Sequence, residues 1–176
     1  MSFLTNTQHL LHRTPLPSCT TLGSAVSMLQ DHSFFFECNP HTVSFSLLDS
    51  PPSTTPPDPP LPSSISPVNP TQSYTATDVV HTLPAGLWDS KVISTYEFTD
   101  LERGVLVRIR SPMGIVMDTV WTIQSEGDGL VLVEDITIRC SRLLIGVVKG
   151  TCEDGWGPIH EKMVGRLKRE LEGEVV

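Results

Sequence analysis

No apolar run in this sequence is long enough to span a bilayer, so a transmembrane helix is not its organising feature. Cationic side chains are few: 12 Lys and Arg stand against 20 Asp and Glu, a formal net charge of −8. That balance disfavours phosphate backbones and anionic lipid, so neither nucleic acid nor stable membrane insertion is expected. The four cysteines, Cys19, Cys38, Cys140 and Cys152, form no CxxC pair and no regular spacing. A disulfide framework or zinc site is therefore not expected, and reduced thiols in a cytoplasmic setting fit better. The opening residues MSFLTNTQHLLHRTPLP lack a basic start followed by a long apolar stretch, so no secretory signal is expected there. HExxH, a GxSxG elbow, GxGxxG and a P-loop pattern are all missing. Local signatures of zinc proteases, α/β-hydrolases and nucleotide binders are thus excluded. His9, His12, His32, His41 and His160 are too dispersed to propose a metal triad, and no metal or cofactor is expected.

What is present is a long apolar stripe near the C-terminus. Leu144, Val148, Cys152, Trp156, Ile159, Met163, Leu167 and Leu171 recur at steps of three and four, the period of one helical face. Lys162, Arg166, Lys168 and Arg169 fall off that stripe and suit the C-terminal end of a helix dipole. One helix over Ser141–Leu171 is predicted, with a kink or short break at Pro158. Two separate helices, the second starting at Pro158, are the alternative.

Upstream, Phe3–Arg13 reads as a first strand ended by Pro15 and Pro17. Thr20 or Thr21 caps a helix carrying Leu22, Ala25, Val26 and Leu29, which stops near Asp31. A short helix or turn at Phe34–Phe36 follows, and Thr42–Leu48 alternates as a half-buried strand does. Residues 50–72 hold nine of the fifteen prolines and a single charge, Asp58, and read as a mobile loop between strands. A polyproline ligand for another module is the sharper alternative. Five strands then follow at about 73–83, 87–99, 103–111, 114–125 and 129–139, with connections short enough to force antiparallel neighbours. The length of 176 residues suits one domain. A twisted sheet with one long helix needs that helix to cover its concave face.

This order of elements, with Asp78–Trp88, Val131–Asp135, Arg142–Leu144 and Val148–Thr151, resembles the START-like, polyketide-cyclase superfamily (SRPBCC, Bet v 1-like), within a poorly characterised fungal branch. Leu29–His32 followed by Asn39-Pro40 fits the same resemblance. It implies an α+β helix-grip fold: a seven-stranded curved antiparallel sheet around a long C-terminal helix, with two short helices after the first strand. It implies an apolar cavity between sheet and helix, and a lipid, sterol, hormone or polyketide as the kind of molecule bound. No catalytic motif of the superfamily maps onto this chain residue by residue.

Strand parity adds an independent reading of the cavity wall. Pairing Ser125 with Leu130 sets Trp121 opposite Glu134, so Leu130, Leu132, Glu134, Ile136 and Ile138 share an inward face with Ile115, Met117, Thr119, Trp121 and Ile123. Walking back sets Tyr96 near Val107, Phe98 near Val105, His81 near Ser90 and Val79 near Val92. The expected wall is Trp88, Val92, Val107, Met117, Thr119, Trp121 and Ile136, with Trp156, Ile159 and Met163 from the helix. Its sparse polar groups are Glu134, His81 and Tyr96. An apolar wall with few polar groups is what a small-molecule pocket needs. Glu134 and His81 are candidates for an acid/base pair, with Tyr96 polarising an oxygen. Ion pairing for Glu134, and ordinary packing for His81 and Tyr96, are the competing roles. Asp118, Arg108 and Arg110 fall on the outward face and are expected to be solvated. The expected function is a cofactor-independent cyclase, dehydratase or isomerase acting on a polyketide- or terpenoid-like intermediate of secondary metabolism. A carrier of a lipid, sterol or pigment precursor is the alternative.

Overall fold

The alternating segments become strands and the apolar stripe becomes a helix. A computed structural model of the chain describes residues 5–49, 65–81 and 89–173, with only the backbone described at 80–81 and 89–90. The order is β1 (Thr5–Pro15), α1 (Leu22–Gln30), α2 (His32–Cys38), β2 (Thr42–Leu47), β3 (Gln72–His81), β4 (Asp89–Leu101), β5 (Gly104–Ser111), β6 (Ile115–Glu126), β7 (Gly129–Ser141) and α3 (Ile145–Leu171). The seven strands form one antiparallel sheet in the order β1-β7-β6-β5-β4-β3-β2. This is the expected helix-grip arrangement. Hairpins join β3 through β7 in sequence, so only β1 must find its partner, β7, across almost the whole chain.

Local chemistry sets the element ends. Thr21 caps α1 by accepting from the Ser24 N–H at 3.1 Å. Asp31 ends α1 and caps α2, accepting from the Phe34 N–H at 3.1 Å. Gly104, just after the β4–β5 turn, must lack a side chain, because a Cβ there would collide with the Trp121 carbonyl. The core sits between α1, α2, the C-terminal half of α3 and the concave sheet face, with Met28, Leu29, Phe36, Phe98, Trp121, Ile123, Leu132, Met163 and Leu167 as its members. Burying each such side chain contributes roughly 1.5–3 kcal/mol.

The expected single helix is found: α3 runs through Pro158 without a break. The carbonyl that loses its partner belongs to Asp154, and both residues are exposed, so water can take the missing bond. Of residues 50–72, only 65–72 are described. They are held rather than loose: Pro67 bridges to Leu101, and the Val68 N–H donates to the Asp100 carbonyl at 2.9 Å. Among the described residues no helix is long and apolar enough to cross a membrane.

The outward face holds a second correction. Arg108 and Asp118 do lie on it, but they are 1% and 4% exposed and not solvated. Arg108 Nε donates to Asp118 Oδ1 at 2.6 Å, and Arg139 Nη1 donates to Oδ2 at 2.9 Å. Arg110 is partly buried beside Glu97 at 3.4 Å. Burial pushes the Asp118 carboxyl up, but the hydrogen bonds and charges of Arg108 and Arg139 outweigh it, and the net shift is downward. A lowered folded value means stability that is present above the ordinary carboxylate value near 3.8 and lost as pH falls through the folded one. Asp118→Asn should therefore cost about 3 kcal/mol at pH 7, because it removes the buried carboxylate that Arg108 and Arg139 share. Denaturant unfolding from pH 7 to pH 3 should show a smaller acid loss in the variant than in the wild type.

Candidate functional site

The C-terminal half of α3 touches the main core, while its N-terminal half touches a smaller cluster around Ile136 and Ile138 and leaves a gap over the sheet. The gap is a cavity of about 310 Å³. Val92, Tyr96, Val107, Ile109, Met117, Thr119, Trp121, Glu134 and Ile136 line it from the sheet. Leu144, Val148, Cys152, Trp156 and Ile159 line it from the segment entering α3 and from the helix itself, and Phe35 reaches it from α2. The wall is mostly apolar, so contact area would supply affinity and the few polar groups would fix orientation.

Glu134 is the first of those groups. It points inward from β7, 5% exposed. The edge strand β1 places His12 directly opposite, and His12 Nδ1 lies 2.7 Å from Glu134 Oε2. The Trp156 ring stacks on the His12 ring with centroids 4.7 Å apart. His160, one turn beyond Trp156 on α3, brings Nε2 to 3.5 Å from the same carboxylate oxygen. Its Nδ1 is 2.7 Å from Thr14 Oγ1. On the other side, Trp121 is the register partner of Glu134, and its buried Nε1–H has no hydrogen-bond partner among the described residues. An unmet buried donor costs about 1–3 kcal/mol, which an acceptor on a bound molecule would relieve. A carboxylate between two imidazoles, beside an unused N–H, can pass a proton and steady an oxygen.

Asp78 is the second polar group. It lines the cavity from β3 and is 8% exposed. Thr42 Oγ1 donates to its Oδ1 at 2.6 Å, and the Tyr96 hydroxyl donates to its Oδ2 at 2.8 Å. Burial first, and the Asp78 charge second, hold the Tyr96 hydroxyl well above its usual value, so it stays a proton donor. Nearby, the Ser94 and Ser111 hydroxyls lie 2.7 Å apart.

Most of the expected wall is found at the cavity: Glu134, Tyr96, Val92, Val107, Met117, Thr119, Trp121, Ile136, Trp156 and Ile159 all line it. Met163 does not; it is fully buried in the core beside Leu167. Trp88 and the His81 side chain lie outside the described residues. The β3–β4 register is one residue from the expected pairing: Asp78, not Val79, stands opposite Val92. The inward positions of β3 are therefore Tyr74, Ala76 and Asp78, which removes the basis on which His81 was set facing inward. The β4–β5 pairing differs by two residues, setting Tyr96 opposite Ile109, which keeps the inward face unchanged. His12, His160, Asp78 and Thr42 were missed. For His160 a signal existed, since it follows Trp156 by four residues and so shares its helical face. Among the described residues no cluster of His, Cys, Asp or Glu is arranged to hold a metal.

A family profile described as a domain of unknown function, DUF7053, matches residues 5–169. Among solved structures, the chain is similar to the Zhui aromatase/cyclase from a Streptomyces species, at 14% identity and TM-score 0.65, covering 97% of this chain and 100% of that one. It is similar to the di-domain aromatase/cyclase StfQ of the steffimycin biosynthetic pathway, at 9% identity and TM-score 0.65, covering 94% of this chain and 52% of that one. It is also similar to a norcoclaurine synthase point mutant from Thalictrum flavum, at 9% identity and TM-score 0.60, covering 94% and 97%. At these identities the likeness establishes the Bet v 1-like helix-grip fold. No curated protein sequence matches the chain.

The cavity can be probed through its thiol. Burial, with the charges of Glu134 and Glu153, pushes Cys152 up to about 12, and burial also pushes Cys38 up to about 12. Cys19 is exposed. At pH 8 only about one in ten thousand Cys152 thiols is ionised, so a maleimide should modify Cys19 well before Cys38 or Cys152. Timed labelling with peptide mass mapping checks the order.

Proposed function

We propose, from the premise that the chain belongs to the DUF7053 family, that this protein takes up a small apolar molecule between the sheet and α3 and moves protons on it. The reaction class is cyclisation, dehydration or isomerisation, on a polyketide- or terpenoid-like intermediate of secondary metabolism. Similarity to aromatase/cyclases supports that class, as does the resemblance to a fungal branch of START-like proteins. A cytoplasmic setting belongs to the same reading and fits the four free thiols.

One observation carries the proposal. Glu134, an inward carboxylate on a mostly apolar wall, is held by His12 at 2.7 Å with His160 at 3.5 Å. In this reading Glu134 takes a proton from the bound molecule or returns one, and the two imidazoles serve as the adjoining donors and acceptors. The unpartnered Trp121 N–H meets the oxygen on which charge develops. Tyr96 acts at the other end through its hydroxyl, which already serves Asp78. His12 and His160 thus take the part expected of His81. The apolar walls would fold a flexible substrate into a reactive shape and exclude water.

The test is metabolic. A host strain lacking the gene is complemented with the wild type or with Glu134→Gln, and extracts are compared by untargeted mass spectrometry. Loss of the general acid/base should lower product roughly 10²- to 10⁴-fold and accumulate the precursor. Native mass spectrometry of the variant should still show the apolar molecule bound. Full complementation by Glu134→Gln would remove the chemistry and leave the carrier reading.

A further inference from the structure

The two carboxylates of the cavity are built alike and neutralised differently. Glu134 lies on β7 and Asp78 on β3, each the second strand from its edge of the sheet. Each meets a side chain from the register partner on the adjoining edge strand, His12 for Glu134 and Thr42 for Asp78. An aromatic residue on the inner neighbouring strand completes each pair, Trp121 in one case and Tyr96 in the other. The edge-strand partners differ in kind. An imidazole can carry positive charge; a threonine hydroxyl cannot.

Among the described residues Asp78 therefore has two donors that orient it and no cation that balances it. Among the described residues it makes no ion pair; the residues outside that set contain no Lys or Arg, and of the histidines only the His81 side chain lies outside it. His41 lines the same end of the cavity but forms no ion pair with Asp78 among the described residues. A charge 8% exposed in an apolar wall is costly unless something positive meets it. The walls leave that task to whatever occupies the cavity.

We infer that Asp78 is a recognition point for a protonated amine, so that the molecule bound has an apolar body, a basic nitrogen at the β3 end and an oxygen toward Trp121 and Glu134. Four strand spacings of about 4.8 Å separate the two poles, roughly 19 Å along the curved wall and less across the hollow. That span suits an elongated molecule with one polar group at each end. This inference rests on the reading of the cavity as a site for a small apolar molecule, and it narrows the chemical class that the site takes.

Three probes of one shape separate the possibilities: phenylbutylamine, phenylbutanol and phenylbutanoate, each titrated calorimetrically into the full chain at pH 7. The amine should bind at least about tenfold more tightly than the alcohol, and the carboxylate more weakly than both. In Asp78→Asn the amine should fall to the level of the alcohol, and unchanged alcohol binding would show that the cavity is intact. Equal binding of amine and alcohol to the wild type overturns the inference, and needs no variant that might fail to fold. So does an amine preference that survives Asp78→Asn, or one lost in Glu134→Gln instead. If no probe binds at all, the apolar-molecule reading of the cavity falls with it; an alcohol that binds as well as the amine leaves that reading standing and removes only the cation.

Discussion

The cavity depends on how α3 is anchored. Met163 and Leu167 sink into the core, and Arg166 reaches Asp31 at 2.7 Å, so the C-terminal half of the helix is fixed against α1 and α2. Lys162 Nζ adds a bond to the Glu37 carbonyl at 2.9 Å. A helix fixed at one end does not also follow a curved sheet. Its N-terminal half is left at a distance, and the apolar stripe there faces a gap. Leu144, Val148 and Cys152 still contact the small cluster around Ile136 and Ile138, which sets how far that half stands off. Cavity volume follows from this tension between a stiff helix and a bent wall, rather than from any one residue.

The same geometry explains where the polar groups lie. In the middle of the sheet, inward positions such as Val107, Ile109 and Met117 have no charged neighbour on either flanking strand, and a charge there would lack a partner. The penultimate strands differ, because an edge strand beside them can carry one polar side chain inward at low cost. His12 and Thr42 are those side chains. Polar chemistry is thus held at both flanks of the hollow while its centre stays dry. The Arg108–Asp118–Arg139 cluster belongs to the opposite face and contributes to rigidity, not to the cavity.

How legible this was depended on the range of the interaction. The β6–β7 hairpin was readable to the residue, because Glu126 and Gly129 close it with a two-residue turn and apolar alternation on both strands enforces the phase. Across β3 and β4 the connection is longer, and a single-residue slip exchanged Val79 for Asp78 as the inward position. Local sequence offered no penalty against that slip, since Val79 is the more apolar choice. The helical face of His160 was readable, but its convergence with His12 was out of reach for another reason. Their meeting at Glu134 needs β1 to pair with β7 and α3 to return over both, contacts that span 122 and 146 residues in the bonds to Glu134 and Thr14. Parity placed Arg108 and Asp118 on the correct face but could not say that the face was covered there.

Stability and function pull apart at this site in a way that discriminates between kinds of pocket. Selected for stability alone, the Trp121 position would carry no unpartnered N–H, and the Asp78 position no uncompensated charge; phenylalanine and asparagine would serve. A cavity used only for bulk lipid would gain nothing from keeping either group, since an alkyl chain supplies neither acceptor nor cation. Both residues line the same hollow as Glu134, on walls that are otherwise mostly apolar. Three costly polar groups sharing one apolar cavity are explained most simply by an occupant that answers each of them. That requirement is satisfied by a molecule with defined functional groups at defined separations, and not by an arbitrary greasy one.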